Sequence, residues 1–452
     1  MLGIVVSRAD SASEHVGEHL LDLADWSLEA DETRTDADGG GTVYRTDGIE
    51  LREFDDLHLH LDDVGSVFDA DLDLLVFASR HSGDTGPLLT AHHTGNFGPA
   101  DHGGADDDLA RACPHAHSEV LAALAAHAPD GYEVGMECTH HGPSEVGVPS
   151  MFVEVGSDEP QWEDPAAARA VARAILELRG VAPDAESENG TSTRRHVVGF
   201  GGGHYAPRFT RIVRETDWAV GHLAADWGLD ALGDPSDHRD LLTQAFAESA
   251  AEIAVIDGDH PDLRAELEAL GYRTVSETWL REVDGVPLAL VERLEDDLVP
   301  VDGGLRFGEP ASTAEPGCSF ERRDLPEKLL GEAQGIDQAA TRETVGAHAL
   351  AYETTENGNR VAGRAALASP ADYDDLIDGI LDLLHNTYES VEREGDTVVA
   401  KKSAFDPETA RELGVPEGPQ FGRLADGDSV AVEGETIRPE QVRTERVDRF
   451  PV

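Results

Sequence analysis

Strand-length apolar runs alternating with helix-patterned segments predict an α/β fold with a mixed, mostly parallel central sheet flanked by helices. The apolar runs lie at residues 2–7, 73–78, 151–155 and 253–256. The helix-patterned segments include residues 11–26 and 164–179. The chain has 452 residues, too many for one ordinary core, and its character changes near residue 300. A catalytic α/β domain over residues 1–297 is therefore expected, followed by a smaller C-terminal α+β region over residues 298–452.

Taken in order, residues 2–7 form a first buried strand, and residues 11–26 a helix with Val16, Leu20, Leu21 and Leu23 on its apolar face. Residues 42–61 alternate well enough for one or two strands, and residues 100–108 form an Ala/Gly/Asp loop. A helix is predicted over 120–127, strands over 132–137 and 151–155, and a helix opened by Asp164-Pro165 and running to residue 179. A loop at 181–192, a strand at 194–200, a short helix from Pro207, helices at 241–251 and 261–270 and a strand at 253–256 complete the first part. Beyond it, a strand is expected at 286–294, a linker at Asp302-Gly303-Gly304, a helix at 372–385 and a strand at 397–400.

The formal charge of −56 is spread along a chain that is still 40% hydrophobic. Dispersed acidity of this kind fits a folded protein adapted to molar salt, where the Debye length of about 3 Å screens repulsion between carboxylates. No apolar stretch reaches the roughly 20 residues of a membrane span. The N-terminus lacks the basic flank of a signal peptide. Cys113, Cys138 and Cys318 are few, scattered and odd in number, which fits a reducing cytoplasm. The expected form is a cytoplasmic monomer with no membrane association.

Sixteen of the 20 histidines precede residue 225, which argues for one histidine-lined site there. The central stretch is Glu137-Cys138-Thr139-His140-His141-Gly142-Pro143-Ser144, at a strand end opening into a turn. His92-His93-Thr94-Gly95, Gly201-Gly202-Gly203-His204-Tyr205 and Gly221-His222 repeat the pairing of histidine with glycine near a strand. His93, His140, His141 and His204 form a candidate zinc set, and Glu137, Thr139, His140, His141 and His204 the candidate catalytic groups. No His-Glu-x-x-His spacing is present. Amides of Gly201, Gly202 and Gly203 offer oxyanion or phosphate donors, although the run is neither a P-loop nor a dinucleotide fingerprint. Arg208, within a group containing Arg194, Arg195, Arg211 and Arg214, is a candidate phosphate contact, and Tyr205 and Phe200 are candidates for base stacking. Taken alone, these residues leave a metal-dependent amidase or peptidase and a non-catalytic nucleotide-binding module open as alternatives.

Ser79-Arg80-His81-Ser82, His93-Thr94-Gly95-Asn96, the stretch from Glu137 to Ser144, Phe152-Val153-Glu154-Val155-Gly156-Ser157 and Gly199-Phe200-Gly201-Gly202-Gly203-His204-Tyr205 together resemble the archaeal and plant type of D-aminoacyl-tRNA deacylase. The resemblance covers residues 1 to about 290. It implies hydrolysis of the ester joining a D-amino acid to the tRNA 3′ end, zinc dependence, the aminoacyl-tRNA acceptor end as partner, and a core like that of phosphorylases and peptidyl-tRNA hydrolase. The segment from Glu412 to Leu424 is faintly similar to part of tRNA 3′-processing endonucleases and is expected to contact tRNA or to pack.

Removing salt should destabilise the compact state through self-repulsion. Thermal melts followed by circular dichroism should show the midpoint rising steeply from dilute buffer to molar KCl. An unchanged midpoint would contradict the reading of the acidity.

Overall fold

The computed structural model describes residues 1–68, 71–187 and 194–452, so the predicted loop at 181–192 lies partly outside the described residues. The chain forms two compact units, Met1–Asp284 and Gly285–Val452. The division falls ahead of residue 297, because the predicted strand at 286–294 is instead a helix, Leu288–Asp297. Leu288, Leu290, Val291 and Leu294 are buried there, so a short apolar run that reads as a strand is the inner face of a helix. Asp302 and Gly303 belong to a 3₁₀ turn rather than an open linker.

The first unit is built on an eight-stranded mixed sheet with the order β2-β3-β4-β1-β5-β10-β6-β9. In chain order its strands are β1 (Leu2–Ser7), β2 (Ser27–Asp31), β3 (Gly41–Thr46), β4 (Ile49–Phe54), β5 (Leu74–Arg80), β6 (Leu88–His92), β9 (Glu133–Met136) and β10 (Ser150–Gly156). A two-stranded pair, β7 (Gly95–Asn96) with β8 (Asp108–Leu109), lies between β6 and β9 in the chain. β4, β1, β5 and β10 run parallel, β6 is antiparallel to β10, and β9 is parallel to β6. The helices α1 (Ser11–Leu23), α2 (Pro114–His127), α3 (Glu159–Trp162) and α4 (Pro165–Glu177) follow the sheet, with α1 and α2 each packed on α4. Asp10 caps α1 by accepting from the Ala12 and Ser13 amides, and its other oxygen accepts from the Arg80 amide. The same buried carboxylate therefore starts a helix and fixes the end of β5. The helix α2 begins six residues earlier than expected, with Pro114 in its first turn.

A second, fully parallel sheet has the order β12-β11-β13-β14, from β11 (His196–Gly201), β12 (Ala219–Ala224), β13 (Ile253–Asp257) and β14 (Arg273–Val275). Its core contains Phe200, Phe246, Ile256 and Leu267, while Phe54, Phe77, Phe152 and Val5 lie in the core of the first. Residues 136–139 tie the sheets together. The Glu137 amide donates to the Ala91 carbonyl at 3.2 Å in the first sheet. The Cys138 amide donates to His204 at 3.0 Å and the Thr139 amide to Leu223 at 2.8 Å, both in the second sheet's half.

The second unit is α+β. It carries a four-stranded antiparallel sheet of Leu305–Phe307, Ala351–Thr355, Arg360–Leu367 and Glu321–Asp324, and a three-stranded one of Ser390–Glu394, Thr397–Phe405 and Arg443–Pro451. Leu329, Leu376, Ile377 and Ile380 fill its core. No helix among the described residues is long and apolar enough to cross a membrane.

Gly201 ends β11 with φ of +89°, and a Cβ there would meet the Asp257 carbonyl oxygen at 2.0 Å. Neither the left-handed backbone nor that contact tolerates a side chain. Gly201→Ala should therefore cost about 3 kcal/mol or more. Urea melts in molar KCl read this directly, and a loss below about 1 kcal/mol would show that the turn can relax.

Candidate active site

The site forms where strand ends of the first sheet meet residues 136–141 and the turn after β11. His81 follows β5, with its amide donating to Val155 and its carbonyl accepting from the Trp162 indole. β6 supplies His92, β10 supplies Glu154, and the link between the sheets supplies Glu137, Cys138, His140 and His141. His204 and Tyr205 come from the turn beyond β11. A cavity of about 550 Å³ opens on this group, lined by Arg80, His81, His140, His141, Glu154 and His204 among others.

Glu137 is 1% exposed. Its Oε2 accepts from His204 Nε2 at 2.7 Å, and His81 Nδ1 lies 3.1 Å from Oε1. That approach lacks hydrogen-bond alignment, so Oε1 is a buried oxygen with no hydrogen-bond partner among the described residues. Burial alone would push the Glu137 carboxyl up. His204 and His81 outweigh it and hold the group well below the usual carboxylate range, as an anion. Glu154 is the opposite case: burial raises it. Its oxygens lie 3.7 Å from His92 Nε2 and 3.7 Å from His81 Nδ1. Burial also acts to lower His92, but the Glu154 carboxylate dominates and raises it.

Three imidazoles are set in one tautomer by backbone carbonyls. Nδ1 of His92 donates to the His93 carbonyl at 2.9 Å, that of His140 to Cys138 at 2.8 Å, and that of His141 to Gly142 at 3.0 Å. A carbonyl only accepts, so each Nδ1 carries the hydrogen; His140 and His141, which burial keeps neutral, then have a free lone pair on Nε2, whereas Glu154 favours the protonated form of His92. Ring nitrogens of these three lie within 4.8 Å of one another. Burial, then the neighbouring imidazoles, hold His140 well below its ordinary value, and burial brings His141 down to about 3. Three clustered imidazoles with carbonyl-anchored Nδ1 hydrogens, two of them kept neutral by burial, fit a divalent metal such as zinc, whose binding would displace a proton from His92. A second group, Cys138 with His140 and His204, shares His140 with this one, and a third, His81 with Glu137 and His204, shares His204 with the second.

The structure brings Glu137, His140, His141 and His204 together as the sequence suggests. His93 lies elsewhere. Adjacent residues on a strand face opposite ways, and His92 is the one that packs against the rings of His140 and His141. His93 donates from Nε2 to Val220 and packs against the rings of His117 and His222. The Thr139 hydroxyl is committed to His222 Nδ1 at 3.1 Å. Burial raises the Cys138 thiol to about 12, which leaves it a poor nucleophile at neutral pH. The Gly202 amide donates to Asp226 at 3.0 Å, and Arg208 is held by Asp257 at 2.9 Å and Glu277 at 3.2 Å, so neither faces a ligand freely. Phe200 is fully buried, whereas Tyr205 is exposed and its hydroxyl meets His81 Nε2 at 2.8 Å. His81, His92 and Glu154 were not singled out by spacing. Their signal lies in the position of each at or near a strand end.

A buried histidine–carboxylate cluster in a cavity beside a mostly parallel sheet defines a hydrolytic α/β enzyme. The family model for D-aminoacyl-tRNA deacylase matches residues 68–274. D-aminoacyl-tRNA deacylases of Halorubrum lacusprofundi and Haloarcula marismortui are 57% and 56% identical, each over 100% of this chain and over 97% and 100% of their own lengths. That of Methanococcoides burtonii is 30% identical over 97% of this chain and 94% of its own. A crystallised conserved protein of unknown function matches 62% of this chain and 96% of its own with a TM-score of 0.54 and 29% identity. The chain belongs to the D-aminoacyl-tRNA deacylase family. The acidity fits its relatives, several of which come from halophiles.

Burial holds His117 and His222 at about 4, against an ordinary histidine value of 6.5. The unfolded chain takes up these protons first as pH falls. Their contribution to stability is therefore complete above about 6.5 and declines toward 4, by about 1.4 kcal/mol per pH unit for each. Urea midpoints in molar KCl should be flat above pH 7 and fall between pH 6.5 and 5. A midpoint that holds to pH 5 would contradict the buried neutral state.

Proposed function

We propose that this cavity is where the chain hydrolyses the ester bond of D-aminoacyl-tRNA, releasing free tRNA and the D-amino acid. The observation that carries the assignment is the convergence of three carbonyl-anchored imidazoles beside a buried carboxylate with an unpartnered oxygen. His92, His140 and His141 would hold zinc, with His204 at the edge of the set. His92 takes the place first expected for His93. When bound, the metal would polarise the ester carbonyl and acidify a water.

The chain's own groups do the rest. His204, held at Glu137 Oε2, is the group suited to take the proton of the attacking water, and Glu137 stays ionised as its anchor. His81 adds positive potential on the Oε1 side whenever it is protonated. The bond between the carbonyl carbon and the ribose oxygen breaks, and the proton returns to that oxygen. His204 is the most exposed imidazole of the cluster, at 30%, and is the group suited to deliver it. Tyr205 closes one side. Arg208 holds the turn through its carboxylate partners, and the Gly202 amide does the same through Asp226. A cytoplasmic location follows from a substrate made and used in translation.

Glu137→Gln, His140→Ala and His204→Ala should each lower single-turnover deacylation of D-tyrosyl-tRNA by about a hundredfold or more. His385→Ala in the second unit should stay near wild type. Bound zinc, measured by mass spectrometry, should fall in His92→Ala, His140→Ala and His141→Ala and persist in Glu137→Gln. Wild-type rates in all the cavity variants would refute the site, and full zinc in the three histidine variants would refute the ligand set.

A further inference from the structure

Among the described residues, the exposed aromatic side chains are Tyr205 at 37% and Trp227 at 47%. Single exposed aromatics are ordinary on a protein surface. These two, however, lie near one part of the site, Tyr205 beside His204 and Trp227 beside Cys138. The Tyr205 ring meets the His204 ring edge-on at 4.8 Å. The Trp227 side chain neighbours the Cys138 thiol, whose sulfur lies 3.6 Å from His204 Nδ1.

Both are held rigidly. The Tyr205 hydroxyl is bonded to His81. Trp227 sits in the first turn of the helix Asp226–Leu232, which is fixed to the glycine turn by two bonds: Gly202 N–H to Asp226 Oδ1 at 3.0 Å and Asp226 N–H to the Gly202 carbonyl at 2.9 Å. Beyond Tyr205 a second cavity of about 770 Å³ runs between β9 and the helix Pro207–Glu215, with Thr210 and Arg214 on its wall.

We propose that Tyr205 and Trp227 are stacking platforms for unpaired bases of the RNA 3′ end. This rests on the deacylase reading. A protein at −56 gains no long-range attraction for RNA, and molar salt removes most counterion-release affinity. Arg208 and Arg211 are already neutralised by Asp257 and Glu277. Stacking uses neutral faces, survives salt, and contributes about 1–3 kcal/mol per base. Rigid aromatic faces next to the reacting centre also fix where a terminal nucleotide lies relative to His204 and Glu137.

The test uses the full chain in molar KCl. Labelled uncharged tRNA, with and without its unpaired 3′ nucleotides, is titrated by fluorescence anisotropy. Wild type should prefer the intact tRNA, and Trp227→Ala and Tyr205→Ala should each weaken that binding by about 5- to 100-fold. Trp227→Phe should recover most of the loss, and Leu28→Ala, an exposed apolar residue on β2, should match wild type. In single-turnover assays Trp227→Ala should raise the half-saturating enzyme concentration by the same factor as it weakens tRNA binding. Unchanged affinity in both alanine variants, or equal binding of the truncated tRNA by wild type, overturns the platforms. Tight 3′-end-dependent binding with no deacylation by wild type supports the platforms and sinks the deacylase reading instead.

Discussion

Burial of the Glu137 carboxylate is the constraint on which this structure depends. An ionised carboxylate inside a protein is costly unless its surroundings replace water. Here the surroundings are His204 at 2.7 Å and His81 at 3.1 Å, with His140 Nε2 at 3.9 Å. Those imidazoles come from three places in the chain, and the backbone at residues 136–139 must span both sheets to collect them. The amides of Glu137, Cys138 and Thr139 each find a carbonyl, one in the first sheet's half and two in the second's. The site and the join between the sheets are thus one object, and neither could be altered without the other.

Much of this was legible beforehand, for identifiable reasons. β1, β5, β10 and β13 are fully or almost fully buried, so their runs read as continuous apolar strands. The helix α4 announced itself by Asp164, Pro165 and an alanine-rich body. The pair His92-His93 shows where reading stops. Alternation says that one of them faces the cavity, but which one depends on the register of β6 against β10. His81 and Glu154 lie in stretches that carry the family resemblance, but no spacing in the sequence marks either as a partner of Glu137 or His92. The cluster joins residues up to 124 positions apart, and only the fold juxtaposes them. The segment 286–294 misled because a short apolar stretch has the same signature in a buried strand and on the inner face of a helix.

Acidity shapes the interior as well as the surface. Arg8 is shared among Asp36, Glu53 and Asp55, Arg52 between Asp31 and Glu50, and Arg208 and Arg211 both use Glu277. Arginine in the first unit serves largely to bind the protein's own carboxylates together. Within the arginine cluster around the glycine turn, Arg208 and Arg211 are cross-links of this kind, which leaves less of that charge for a polyanion.

The three carbonyl anchors of the imidazole array have a common property. His92 leans on the carbonyl of residue 93, His140 on that of residue 138, and His141 on that of residue 142. No imidazole in the trio is aimed by a distant side chain through its Nδ1. The instruction for pointing each ring is carried by one or two peptide units beside it. Side chains around the array can drift over evolutionary time while the rings keep their bearing. Adding or deleting a single residue between positions 138 and 142 would turn two of the three rings away at once. The surface around the array can change with little effect on it, whereas the residue count through this short stretch sets the direction of the rings.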